Sequence, residues 1–116
     1  MSRYHSESVA MIGALIYQFP QLLPLFNEHL DDNEGEVLPS LVMADVVRWL
    51  TANVSKNPRE CEEILAWLDM AYSHGSDEQR TVIAVSAVEE IPAPGEAGSE
   101  LRGMLSPRLA ENDPWA

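Results

Sequence analysis

Proline placement constrains this chain more than any other feature. A proline inside a regular helix removes a backbone donor and clashes with the preceding turn, so each one marks an end, a start or a bend. Eight prolines in 116 residues therefore divide the sequence into short lengths. Pro20 and Pro24 cannot both lie within one regular helix, and Phe19, ahead of Pro20, is pushed out of the helical region. Pro24, Pro39 and Pro58 suit the first turns of helices. Pro92 and Pro94 fall in the loop PAPGEAG, and Pro107 bends or shortens the last helix.

Between these marks the apolar residues recur at helical spacing. Ser6 is expected to cap a first helix running to about Tyr17, with Val9, Ile12, Leu15 and Ile16 on one face. A short second helix carries Leu25, Phe26 and Leu30 inward. The stretch LPSLVMADVVRWLTANV is apolar around most of its circumference, broken only by Ser40, Asp45, Arg48 and Thr51 before Asn53. That is the pattern of a central helix. Asn57-Pro58-Arg59-Glu60 is the clearest start signal: Asn57 caps, Pro58 takes the first helical position and Glu60 completes a capping box. The helix it opens is expected to bury Cys61, Ile64, Leu65, Leu68 and Tyr72 and to close at Gly75.

Ser76 with Gln79 makes a second capping box. It opens a helix through TVIAVSAV, although the β-branched residues there would also suit a strand. SELRGMLSPRLAE reads as a last amphipathic helix with Leu101, Met104, Leu105 and Leu109 inward. The NDPWA tail is either frayed or docked through Trp115. No alternating strand pattern and no hairpin dipeptide occurs. The expected fold is all-α. One domain covers residues 1–116 as a bundle of five or six helices, its short connections favouring antiparallel neighbours, with 111–116 as a tail.

The charge balance limits what such a bundle can meet. Nineteen acids face seven bases, a formal charge of −12. Nucleic acid and anionic membrane surfaces both require neutralising cations, so neither is an expected partner. A basic protein is permitted, and such a field would accelerate its encounter. The longest apolar run, VAMIGALIYQF, is too short to span a bilayer and is not followed by a small-residue cleavage site. The expectation is a cytoplasmic protein that keeps its N-terminus. Cys61 is the only cysteine and reads as a small core side chain.

The densest polar stretch is LDDNEGEVLP, with Asp31, Asp32, Glu34 and Glu36 in close succession. It is not an EF-hand calcium loop: placing Gly35 sixth puts Leu30 first and Leu41 twelfth, where ligands are needed. A wet loop is also the wrong setting for a general acid with a shifted pKa. Two readings remain open. The acids end one helix and precede the next, or they form an exposed patch aimed at cations of another protein. Asp45 and Arg48 can pair three apart on the central helix, as a part-buried structural ion pair or as the lining of a groove beside Trp49. Glu60, Glu63, Trp67, Met70 and His74 share a second helix face, either an interface anchor with a charged rim or a tryptophan packed on a neighbour.

No chemistry is dictated elsewhere. His5, His29 and His74 have no metal-ligand spacing, and neither hydrolase elbows nor phosphate-binding glycine loops occur. The residues themselves call for no metal, no cofactor and no enzymatic activity.

The run GEVLPSLVMADVVRW resembles the signature of a bacterial family of small helical proteins without an assigned activity. The matching positions are Gly35, Glu36, Leu38, Pro39, Leu41, Ala44, Asp45, Arg48 and Trp49. ELRGMLSPRL, residues 100–109, is similar to the closing leucine-and-proline stretch of that family. Small acidic members of this shape resemble immunity proteins, which neutralise a cognate toxin domain made by the same bacterium. The resemblance implies a toxin inhibitor working by protein–protein contact, as in contact-dependent growth inhibition, with a basic toxin domain, expected to be a nuclease, as partner. Asp31, Asp32, Glu34 and Glu36 would carry the binding, joined by Glu60, Glu63 and Trp67. The rival expectation is a helical adaptor or regulatory protein acting through homodimerisation or a partner-binding groove. An enzyme would need a dry pocket where Asp45, Arg48 and a histidine converge.

Overall fold

Helix α1 runs over Arg3–Gln18 and stops where Phe19 precedes Pro20. The computed structural model describes residues 3–115, with side chains from residue 6 onward. His5 falls outside the described side chains, and Met1, Ser2 and Ala116 lie outside the described residues. Ser6 does not cap α1, because the helix begins three residues earlier. Ile12, Leu15 and Ile16 are buried and Val9 is half-buried.

A single 3₁₀ turn, Pro20–Leu22, leads into α2 (Leu23–Asp32). The chain axis turns by 110° across this break, so these neighbours cross and do not run antiparallel. The turn keeps Phe19 and Leu22 in the core while α2 departs sideways. α3 (Pro39–Asn53) begins with buried Pro39 at its first turn. Val42, Met43, Val46, Val47 and Leu50 are buried, and α3 touches α1, α2, α4 and α5. It is the central helix that its apolar circumference requires.

α4 (Pro58–His74) starts at the expected proline and buries Cys61, Ile64, Leu65 and Leu68, with Tyr72 at the margin. Its expected capping box does not form. The Asn57 side-chain amide donates to Asn53 Oδ1 at 3.1 Å, and Glu60 accepts from Gln21 Nε2 at 3.2 Å. A neighbour four residues back and a partner from across the fold take the two side chains away from the cap. Gly75 closes α4, where a Cβ would stand 2.6 Å from the Ala71 carbonyl oxygen.

The second box is intact: Ser76 Oγ accepts from Gln79 N–H, and Gln79 Oε1 accepts from Ser76 N–H. α5 (Asp77–Ser86) is shorter than its sequence allows and passes into a 3₁₀ turn, Val88–Glu90. Its first turn docks on α1, with Ser8 Oγ donating to Glu78 Oε2 and Gln79 Nε2 donating to the Glu7 carbonyl. Gly98, at positive φ, lies so close to Thr51 that any Cβ would collide with its methyl group.

The last expected helix is in two pieces. Ser99–Met104 is 3₁₀, and α6 (Pro107–Ala110) follows with Ser106 as its N-cap. Pro107 lacks the N–H that would continue one helix through both. Leu101 and Leu109 are buried, and Met104 and Leu105 pack at the edge of the core. The tail is docked through a residue the sequence did not flag. Asp113 is buried and pairs with Arg102, whose guanidinium also donates to the carbonyls of Ile91 and Pro92. Trp115 instead stands 60 % exposed. The radius of gyration, 13.4 Å, equals the value of about 13 Å that the size law for folded domains assigns to this length. The C-terminal pieces are thus folded onto the body. Among the described residues there is no strand, and no single helix is long and apolar enough to cross a membrane.

Candidate functional site

A groove of about 550 Å³ opens between α2 and α3. From α2 it receives Leu25, Glu28 and Asp32, which recur at helical spacing, together with His29 and, just past the end of α2, Asn33. From α3 it receives Leu41, Asp45, Arg48 and Trp49, again one face of one helix. Leu25, Leu41 and Trp49 provide the apolar lining, and three carboxylates with one guanidinium provide the polar part.

Asp45 and Arg48 are paired in a split setting: Asp45 is half-buried, as its apolar neighbours in sequence imply, while Arg48 stands in solvent. The Arg48 side chain is 70 % exposed and that of Asp45 29 %. The face they share with Leu41 turns toward the open groove instead of the core. Such a solvent-facing i,i+3 pair contributes roughly 0.2–0.5 kcal/mol.

His29 lies beneath the groove and is buried. Its Nε2 accepts from Leu38 N–H at 3.0 Å, and the Asn33 side-chain amide stands 3.3 Å from Nδ1 while donating to the His29 carbonyl at 2.8 Å. The ring therefore fixes the connection between α2 and α3. His29, Asp45 and Arg48 do line one cleft, but the cleft is open and the imidazole is engaged with backbone.

The acidic loop begins where α2 ends. Asp31 and Asp32 occupy its last turn, the end at which the helix dipole disfavours carboxylates. Asn33 and Gly35 donate their N–H groups back to Leu30 O, the latter at 2.8 Å, in a Schellman-type closure. That closure places Glu34 at φ 55°, the left-handed region glycine normally occupies, followed by Gly35 at 81°. A non-glycine residue there costs about 1 kcal/mol. Asp31, Asp32, Glu34 and Glu36 are all exposed, and none joins an ion pair among the described residues.

The other candidate residues fall elsewhere. Glu63 and Trp67 line a separate, shallow depression of about 400 Å³ with Gln18, Phe19, Ala66 and Met70. Trp67 is half-buried against the core, whereas Met70 is 59 % exposed. Glu60 is held by Gln21. His74 is exposed at the end of α4 and belongs to neither depression. The seven candidate partner contacts thus occupy more than one surface: Asp32 is in the groove, Asp31 is at the end of α2, Glu34 and Glu36 are in the turn after it, Glu60 is held by Gln21, and Glu63 and Trp67 are in the second depression.

Cys61 is fully buried, its Sγ 3.7 Å from the Leu50 carbonyl. Burial pushes its thiol above the ordinary range, and the neighbouring Glu60 carboxylate adds to the effect. It is a core side chain. No group of three or more His, Cys, Asp or Glu among the described residues is arranged to hold a metal ion.

Leu25, Glu28, His29 and Leu41 were missing from the sequence-based candidates. Their helical spacing relative to Asp32 and Asp45 was readable, but which face of α2 would meet which face of α3 was not.

The fold and the groove describe a small all-α protein with an acid-lined cleft between two helices. The chain belongs to the family described as Domain of unknown function (DUF7674), whose model matches residues 12–112. No curated protein and no solved structure matches the chain significantly.

Proposed function

We propose that this protein binds and neutralises a basic protein, as an immunity protein does a toxin domain, through the acidic loop and the groove beside it. The observation that carries this reading is the placement of the loop acids. Asp31 and Asp32 stand at the wrong end of a helix dipole, and Glu34 occupies a left-handed position suited to glycine. Local rules broken without a compensating contact are expected at functional positions. Exposed carboxylates that join no ion pair among the described residues are suited to speeding the approach of a cationic surface, while the apolar groove lining would slow its release. In this reading the protein acts in the cytoplasm, without cofactor, metal or catalysis, and its partner is a basic toxin domain of nuclease type.

The test starts with affinity capture from the native strain and purification of the basic protein recovered. Stopped-flow association is then measured against ionic strength. The doubly reversed variant Asp31→Lys/Glu36→Lys should associate about tenfold more slowly at low salt and with a flatter salt dependence. Unchanged association would reduce the loop to a turn and end this reading. Co-expression should also relieve any toxicity of the partner.

One observation favours the adaptor alternative. Phe19, Trp67 and exposed Met70 line an apolar depression on another face, and Tyr17 nearby in sequence is 88 % exposed. Light scattering separates the two: a tight homodimer indifferent to basic proteins would establish the adaptor in its place.

A further inference from the structure

The α2–α3 groove already contains a guanidinium, that of Arg48 on the Asp45 carboxylate. Arg48 reaches this position from its own helix and keeps most of its side chain in water, so the contact is weak and exchangeable. Around it, Glu28 and Asp32 add two further carboxylates from α2, and Trp49 and Leu41 provide apolar surface, the latter 52 % exposed. Arginine combines a planar fork matched to carboxylates with a face that lies well on aromatic rings, and lysine has neither property. Three carboxylates against one cation leave the groove negative even with Arg48 in place.

We propose that this groove receives an arginine side chain of the protein partner, and that Arg48 acts as a placeholder that yields Asp45 to the incoming guanidinium. The inference rests on the basic-partner reading and specifies what that partner inserts. The exchange is favourable because an incoming guanidinium can meet two groove carboxylates, Asp45 and Asp32, and lie on Trp49, which together offset its desolvation, whereas Arg48 pairs with Asp45 alone. Charge-assisted contacts at a closed interface exceed those of an exposed helical pair. Arg48, released, turns to water or to an acid on the partner. The groove wall is well suited to this role, since the His29–Leu38 bond holds α2 and the start of α3 together beneath it.

The experiment is an NMR titration of the ¹⁵N-labelled full chain with acetylated, amidated tetra-arginine, using the tetra-citrulline peptide as a neutral isostere. Tetra-arginine should produce saturable shifts at the Trp49 indole N–H and at the amides of Asp32 and Asp45, and tetra-citrulline should not. Asp45→Asn, nearly isosteric, should weaken binding about tenfold. Arg48→Ala should tighten it about threefold, because the competing internal cation is gone. If Arg48→Ala weakens binding, or if the shifts spread over the acidic surface and ignore Asp45→Asn, the groove inference is overturned while the basic-partner reading stands. No binding of tetra-arginine even at low salt would remove both.

Discussion

At the scale of single residues, chemistry and conformation answer different questions. Cys61 carries the only thiol, and its burial keeps it protonated. A thiol whose folded pKa is raised contributes its full stability below the ordinary value of 9.0, and that contribution is lost as pH climbs through the raised folded value. Stability should therefore fall on the alkaline side of pH 9.0 in urea titrations, with the fall reduced in Cys61→Ala measured against its own neutral baseline. Iodoacetamide should label native protein only as fast as it unfolds, and rapid labelling at neutral pH would contradict the buried assignment. Glu34 is the opposite case, an exposed residue under conformational strain. Glu34→Gly should raise stability by about 0.5–1 kcal/mol by relieving the left-handed position, as read by the urea midpoint. A loss of stability would mean that the Glu34 side chain makes an attractive contact after all.

Among the elements, local signals and distant partners compete for the same side chains. Ser76–Gln79 kept its capping box because nothing else reaches those groups more favourably, and Gln79 Nε2 still has a donor to spare for Glu7. Asn57–Glu60 lost its box to Asn53 and Gln21. The two motifs look equivalent in sequence; Gln21 of the Pro20–Leu22 turn takes Glu60, and Asn53, four residues earlier, takes Asn57. The C-terminal pieces depend more heavily on long-range polar contacts. Arg102 and Asp113 are both largely out of solvent, and one guanidinium links the Ile91–Pro92 turn to the tail. Asp113→Ala leaves that cation without its carboxylate and should cost about 3 kcal/mol, seen as a lower urea midpoint. Arg102→Met/Asp113→Leu should recover most of that loss. Failure to recover would show that the guanidinium's backbone contacts, not its charge pair, hold the tail.

For the whole molecule, net charge sets the behaviour. A formal charge of −12 on a body with a 38 Å long axis is self-repelling. At about 0.01 M salt the Debye length, about 30 Å, is comparable to the molecule, and at about 0.15 M it falls to about 8 Å. The thermal midpoint should therefore rise by a few degrees between those conditions. A midpoint that falls instead would show that the ion pairs found among the described residues contribute more than the repulsion opposes. The same field acts on the approach of a cationic partner, so stability and association should respond to salt in opposite directions.

What the sequence by itself determined is local: the helix starts at Pro39, Pro58 and after Ser76, which residues face inward on α1, α3 and α4, and that the chain is strongly acidic. Prolines, one surviving capping box and apolar periodicity act over a few residues, so they can be read without knowing the fold. Tertiary structure alone decided the rest. It bent α2 away from α1, set Leu25, Glu28 and Asp32 opposite Asp45 and Trp49, and turned Arg48 outward beside a half-buried Asp45. It also tied the tail down through Asp113. Each of these joins groups separated along the chain, and their meeting depends on how the helices pack, which no short-range pattern encodes.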